Sequence, residues 1–284
     1  MSFSTSGCEN MPELPEVETV CRGLAGHLIG KHIVKIELNR DGLRFPFPSN
    51  MKSIEGLKIK SINRRAKYIL IELENNSTLL VHLGMTGRFK LENLRGTPEK
   101  HDHVVIHLDD NSTAVYTDPR RFGIIDLFER GQNHPLLIKL GPEPLSSNWD
   151  GEILHSSIKN RKSAIKSVLM NQHVVVGIGN IYASEILYRS GISPNRKASN
   201  VSSTMANRIH KCTVEVLKEA IDSGGSTLKD GQFVDVNGKL GYFSHGFSVY
   251  DREGEMCKNN NCTNIIKKSI HQGRSTYHCT RCQR

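Results

Sequence analysis

The sequence predicts an α+β protein, and three observations carry that prediction. Paired β-patterned segments fill the chain before a Pro/Gly-rich passage at 141–151, helical periods follow it, and four cysteines at metal-ligand spacing close it. With 284 residues the chain has room for two domains, or for a domain and a small added module.

The first element is a short helix from Pro15. Proline suits a first helical turn, Glu16 and Glu18 complement the positive end of the helix dipole, and Val17, Val20, Cys21, Leu24 and Leu28 share one face. The next hundred residues read mainly as strand. "KYILIEL" (67–73) and "TLLVHL" (78–83) flank the polar turn Glu74–Ser77, and "HVVIHL" (103–108) and "TAVYT" (113–117) flank Asp109–Ser112. Hairpins at this spacing indicate a sandwich or barrel rather than parallel βαβ units. "GPEPLSSNWDG" (141–151) marks a boundary. Beyond it, "SAIKSVLMN" (163–171) and "GNIYASEILYRSG" (179–191) turn helical, and Met205–Ile221 carries Ile209, Cys212, Val216, Leu217 and Ala220 at helical spacing. Residues 224–247, rich in Gly, Ser and Asp and without a clear period, are expected to form a mobile loop.

The charge balance, 38 Lys+Arg against 29 Asp+Glu for a net +9, points to an anionic partner. Its placement is more telling. Residues 257–284 hold six Lys/Arg and no acid, and residues 153–173 hold Lys159, Arg161, Lys162 and Lys166 with no acid, which resembles a phosphate footprint. No apolar run approaches the roughly 20 residues of a membrane span, and residues 1–10 have neither the basic nor the apolar region of a signal peptide. A soluble, cytosolic protein is expected, in which seven cysteines mean metal or free thiols rather than a disulfide scaffold.

Cys257, Cys262, Cys279 and Cys282 form C-x4-C-x16-C-x2-C, two cysteine pairs separated by a β-hairpin's worth of chain. That spacing fits the tetrahedral four-thiolate site of a zinc ribbon, and metal binding would supply much of the folding free energy of so small a module. Cys21 and Cys212 lie on apolar helix faces and read as core. Between the knuckles, "KKSIHQGRSTYH" (267–278) presents Lys267, Lys268 and Arg274; a solvated basic hairpin accounts for the lysines as well as function does, whereas Arg274, after the turn-forming Gly273, is the more pointed candidate.

"MPELPEVETV" (11–20), "RRAKY" (64–68), "HLGMTG" (82–87), "KHDH" (100–103), "YTDPRRFG" (116–123), "LGPEPL" (140–145), "GIGNIYASE" (177–185) and the cysteine ribbon occur together in this order. In that combination the chain resembles the formamidopyrimidine-glycosylase/endonuclease VIII family, and within it the bacterial formamidopyrimidine-DNA glycosylases. The resemblance spans residues 11–284. It implies an N-terminal β-sandwich domain (11–140) with flanking helices, a linker (141–151), a helix-two-turn-helix domain (152–247) whose 224–247 loop caps the lesion, and a zinc-ribbon finger (248–284) holding one structural Zn2+. The implied activity is base-excision repair: a DNA glycosylase and abasic-site lyase, acting as a bacterial cytoplasmic monomer on double-stranded DNA containing 8-oxoguanine, formamidopyrimidines or abasic sites, with β,δ-elimination. An endonuclease VIII-like preference for oxidised pyrimidines and a non-catalytic zinc-ribbon DNA-binding protein are the alternatives.

By the same resemblance, Pro12 is the nucleophile, Glu13 the general acid, Lys67 serves β-elimination, and Arg274 serves δ-elimination and lesion handling. Met85, Arg120 and Phe122 fill the space a flipped base leaves, with core packing the alternative for Met85 and Phe122. His101, Arg161 and Asn180 contact DNA; an asparagine at a helix N-terminus also serves as a cap, and Glu16 either supports Glu13 or caps the first helix. Two departures from the family pattern stand out. The first knuckle has four intervening residues where many members have two, and ten residues precede Met11. A Pro12 nitrogen acylated by Met11 is a tertiary amide without a nucleophilic lone pair, so the extension 1–10 is expected to be absent from the active form.

Overall fold

The computed structural model describes residues 11–93, 96–129, 133–227 and 233–284; the extension 1–10 and residues 228–232 of the expected loop lie outside them. Among the described residues the chain divides into two compact units, Met11–Ile138 with Ile221–Ser244, and Lys139–Ala220 with His245–Arg284. This division differs from the boundaries drawn on the sequence. Residues 221–244 belong with the β-rich unit, and the cysteine finger is not a unit of its own.

In the β-rich unit, helix α1 (Leu14–Leu28) begins one residue before its expected start, with Pro15 in the first turn, where a missing N–H leaves no hydrogen bond unmade. Eight antiparallel strands follow: β1 (Ile33–Leu38), β2 (Ile59–Arg65), β3 (Tyr68–Leu73), β4 (Ser77–His82), β5 (Arg88–Glu92), β6 (Asp102–Leu108), β7 (Thr113–Thr117) and β8 (Ile124–Glu129). They make two four-stranded sheets, ordered β1-β6-β7-β5 and β2-β3-β4-β8, and both expected hairpins pair in register, as in Ile71↔Leu79 and Val105↔Val115. Alternation sends Ile69, Ile71 and Leu73 of one sheet and Val104 and Ile106 of the other into a single core, joined by the whole predicted face of α1. Burying five apolar side chains of α1, at about 1.5–3 kcal/mol each, holds a 15-residue helix that would be marginal alone. A short α2 (Pro135–Ile138) closes the unit's first segment.

In the second segment of this unit, part of the period-free stretch 224–247 packs against the sheet core. Val236 is buried in the same core, and a side-chain carbon of Val236 lies where a Cβ on Gly23 would fall, so α1 carries glycine at that crossing. Asp235 nucleates a turn by accepting from the N–H groups of Asn237 and Lys239, both at 2.8 Å. Such contacts leave no sequence period.

The other unit contains α3 (Gly151–Ile158), α4 (Ile165–Leu169), α5 (Asn180–Arg189), the Ser203–Ala220 part of α6 (Ser203–Asp222), and the finger hairpin β9 (Lys267–His271) and β10 (Arg274–His278). Asp150 caps α3 by accepting from the Ile153 N–H at 2.8 Å. Buried Glu185 of α5 accepts from the N–H groups of Ser248, Val249 and Tyr250 at 2.8–2.9 Å, and Gln283 donates to the Ile192 carbonyl at 3.0 Å. These bonds make the finger part of the helical unit. No helix among the described residues is long and apolar enough to cross a membrane.

Candidate functional site

At the start of α1, Pro12 is half-buried and Glu13 is buried. Glu16 settles the choice left open above by doing more than one job. Its Oε2 accepts from the Glu13 N–H at 2.9 Å, capping the helix and fixing the backbone of Glu13, while its Oε1 accepts from both the N–H and the hydroxyl of Ser226, at 2.8 and 2.9 Å. One carboxylate therefore ties Glu13, beside Pro12, to the segment 221–244. Gly225, at φ +80°, sits against Glu16 where a side chain would crowd it.

Lys67 is buried at the β2–β3 turn, where Ala66 adopts φ 53°. Arg64 braces that turn, donating to Glu18 of α1 at 2.9 Å and to the Ala66 carbonyl at 3.1 Å. Beside it, the His82 imidazole is pushed down to about 4 by burial, with the charges of Lys67 and Arg44 adding to the effect. The Gly84 N–H donates to His82 Nδ1 at 3.1 Å, a bond that needs this nitrogen unprotonated.

Met85, Arg120 and Phe122 come together from two loops that are far apart in sequence. Asp118, fully buried, organises them. Its Oδ1 accepts from the Thr86 hydroxyl, its Oδ2 accepts from the Gly123 N–H at 2.8 Å, and its carbonyl accepts from His103 Nε2 at 2.8 Å. Thr86 Oγ1 in turn accepts from the Arg120 N–H at 3.1 Å. Gly84, at φ +64°, lets the first loop press on the second, since a Cβ there would lie 2.5 Å from the Phe122 carbonyl carbon. The outcome is a presented aromatic. Phe122 is 44% exposed with the Arg120 guanidinium 4.8 Å from its ring centroid, which excludes the core-packing alternative for Phe122; Met85 is half-buried. His101 is half-buried with its ring 6.2 Å from that of His103. The sequence singles out His101 but neither His103 nor Asp118, whose only sequence signal is their place inside "KHDH" and "YTDPRRFG".

In the helical unit, Asn180 is the first residue of α5 and Gly179 precedes it as the N-cap, so the capping reading of Asn180 is corrected. Its side chain accepts from Lys166 Nζ at 2.7 Å and faces the Tyr250 hydroxyl at 3.5 Å. Lys166 is likewise not surface charge. At 2% exposure it donates also to Thr276 Oγ1 at 2.8 Å and to the Ser275 carbonyl at 3.0 Å, linking α4, α5 and the finger. An ammonium has three donors, and all three are used. Beside this link lies a polar cleft lined by Asn171, Asn180, His271 and Arg274. Arg274 follows the left-handed pair Gln272 (φ 49°) and Gly273 (φ 75°), which turn the hairpin tightly and leave the arginine exposed. Arg161 is exposed and does not line the cleft; its Nε donates to the Ser157 carbonyl at 3.0 Å.

The four ribbon sulfurs converge. Cys257 and Cys282 lie 3.8 Å apart, Cys262 and Cys279 3.6 Å apart, and all four within 4.8 Å of one another. With metal–sulfur bonds near 2.3 Å, a tetrahedral zinc requires sulfur separations of about 3.8 Å. The residues fit the metal, and this finger is a zinc site.

An aromatic beside a guanidinium on a braced turn, a polar cleft with Asn180 and Arg274, and a zinc ribbon fused to helices define a zinc-finger protein of nucleic-acid metabolism. Residues 11–125 match the formamidopyrimidine-DNA glycosylase N-terminal domain, and residues 140–232 match the formamidopyrimidine-DNA glycosylase H2TH domain. The chain belongs to the formamidopyrimidine-DNA glycosylase family. It is 46% identical to the formamidopyrimidine-DNA glycosylase of Roseobacter denitrificans and 44% identical to that of Caulobacter vibrioides, each match covering 96% of this chain and 100% of the relative. Among solved structures it is similar to the MutM (Fpg) protein of Thermus thermophilus, with TM-score 0.86 and 37% identity over 96% of this chain and 98% of that one. It is also similar to Lactococcus lactis Fpg in complex with DNA containing an abasic site, with TM-score 0.87 and 31% identity over 96% and 99% of the two chains.

Proposed function

We propose that this chain is a base-excision-repair DNA glycosylase and abasic-site lyase that removes oxidised purines from double-stranded DNA, with Pro12 as its nucleophile. The observation that carries the reading is the construction around Pro12: Glu13 is buried next to it, and Glu16 fixes the Glu13 backbone from inside the helix turn. Solved relatives bound to DNA bearing an abasic site or a formamidopyrimidine lesion support the substrate class.

The chemistry follows from the residue types. A free proline amine has a pKa near 8, so a useful neutral fraction exists at physiological pH. Its nitrogen attacks the sugar C1′ and loses its proton, and the bond to the damaged base breaks. The C1′–O4′ bond then opens to leave an N=C iminium, with Glu13 delivering the proton that the departing sugar oxygen or base needs. The resulting iminium acidifies the C2′ proton; Lys67 accepts it, and elimination cleaves the 3′ C–O bond. Arg274, which stays charged, acts by binding phosphate or lesion rather than by proton donation. Phe122 and Met85 replace the lost stacking, and Arg120 offers donors to the orphaned cytosine. Asn180, Arg161 and His101 hold the backbone. The zinc ion keeps the finger folded and takes no part in these steps.

The active form starts at Pro12, acts as a monomer, and works on DNA in the bacterial cytoplasm. The N-terminal family match beginning at residue 11 supports that start. Borohydride trapping on an 8-oxoguanine duplex tests the reading. Pro12→Gly should lose nearly all covalent adduct, and intact mass should place Pro12 first; undiminished trapping, or full lyase activity in protein whose mass includes Met1 or Ser2, would overturn it. Faster cleavage of a thymine-glycol duplex than of an 8-oxoguanine duplex would move the substrate to oxidised pyrimidines.

A further inference from the structure

The longer first knuckle does more than reach the metal. Asn259, inside that four-residue loop, has its Nδ2 3.5 Å from Cys282 Sγ. Its orientation is fixed from both sides, because the Asn261 N–H donates to its Oδ1 at 3.1 Å and the Cys262 N–H donates to its carbonyl at 2.8 Å. Cys282 is the most accessible of the four ligands; the other three are buried. On the opposite side, Tyr188 near the end of α5 places its hydroxyl 3.1 Å from Cys257 Sγ. A sulfur bound to zinc is a thiolate and can only accept, so the phenol is the donor.

Four thiolates around one divalent ion carry two net negative charges. That charge keeps the sulfurs nucleophilic, and attack on any of them by an electrophile opens the site. We propose that Asn259 and Tyr188 are positioning residues that form a donor shell over Cys282 and Cys257, damping their nucleophilicity and coupling metal retention to helix α5. The two donors act on different sulfurs 3.8 Å apart, one from the finger's own loop and one from the helical body. In this four-residue knuckle Asn259 is held by the N–H groups of Asn261 and Cys262, so the loop itself fixes a donor over the exposed ligand. The inference rests on the zinc site described above.

The test uses the full chain, with one zinc per chain confirmed first by metal analysis; a chain that folds and carries no zinc would sink the metal site and the donor shell together. Iodoacetamide then alkylates a thiolate, forming a sulfur–carbon bond and expelling iodide, and a metallochromic indicator follows the zinc released. Tyr188→Phe and Asn259→Ala should each release zinc about tenfold faster than the unsubstituted chain, and the double variant faster than either. Cobalt substitution separates electronic damping from simple loosening. Losing a donor raises the energy of the thiolate electrons, so the sulfur-to-cobalt charge-transfer band should move to lower energy while the d–d bands remain tetrahedral. Asn259 lies on an exposed loop, so its variant reports even if Tyr188→Phe perturbs the helix packing. Release rates within twofold of the unsubstituted chain, with an unmoved charge-transfer band, would overturn the proposal.

Discussion

The braced turn of the β-rich unit and the finger of the helical unit each carry side chains that the proposed function assigns to DNA, and they are held by opposite means. Around Phe122, the buried Asp118 gathers a hydroxyl and a backbone N–H on its carboxylate and a histidine on its main-chain carbonyl, and each bond is a separate contribution. Around Arg274, the hairpin depends on four thiolates that hold one ion, with Lys166 as a second link. The first arrangement should fail by degrees. The second should fail at once, because the metal is either held or lost.

The largest effect expected is therefore on the finger. Structural zinc in small modules is worth about 10–16 kcal/mol. Chelation or Cys279→Ser should abolish lesion-duplex binding in a mobility-shift assay, while the sheet core of the β-rich unit keeps its thermal transition. Intact binding after confirmed metal loss would refute a structural role for the ion.

Next comes Asp118→Ala, which leaves the Thr86 hydroxyl and the Gly123 N–H without their acceptor in a buried place. Unfolding by urea should show a loss of about 3 kcal/mol. Excision should fall further than stability alone explains, because Arg121, held at φ 60° inside the turn, would relax and release Phe122. A loss below about 1 kcal/mol would mean that the turn is held by packing rather than by the carboxylate.

Lys166→Met sharpens the comparison on the other side. As an interior link, Lys166 should weaken duplex binding and lower stability by about 2 kcal/mol while leaving the salt dependence of binding unchanged. A salt slope smaller by about one charge, with stability intact, would return Lys166 to the phosphate footprint in which its sequence neighbourhood places it.

Lys166 also marks where sequence reading stops. Helix α1, both hairpins and the metal ligands are legible because their signals are local: a period, a polar turn, a cysteine spacing. A lysine in an acid-free stretch reads as surface, and nothing nearby reveals that its partners are Asn180 and Thr276, 14 and 110 residues away. Glu16 and Ser226, 210 residues apart, and Glu185 beneath residues 248–250 are of the same kind. Each is a buried charge satisfied by distant backbone or side-chain groups, and burial of charge is what local pattern cannot show. Asn180 does stand at the start of α5 as its sequence context predicts, but its bond to Lys166 takes the place of the cap.

The smallest expected effect returns to the β-rich turn and tests whether its hydrogen bonds act separately. His82 is held below the ordinary imidazole value of 6.5, at about 4, chiefly by burial. The folded chain thus resists a proton that the unfolded chain accepts, so stability is full above about pH 6.5 and falls as pH drops toward 4. Because the side chain is only partly covered, we expect about 1 kcal/mol from this group rather than the whole shift. His103, lowered first by its own burial, contributes with the same sign, as do carboxylates nearer pH 4, so the informative quantity is a difference. His82→Gln removes the titrating group while keeping a polar side chain near the Gly84 N–H. The stability of this variant relative to the unsubstituted chain should rise steadily as pH falls from about 6.5 to about 4.5, with Asp118 and its partners undisturbed. A pH-independent difference would mean that the Gly84 N–H does not need an unprotonated Nδ1, and that glycine packing against Phe122 suffices to keep the two loops together.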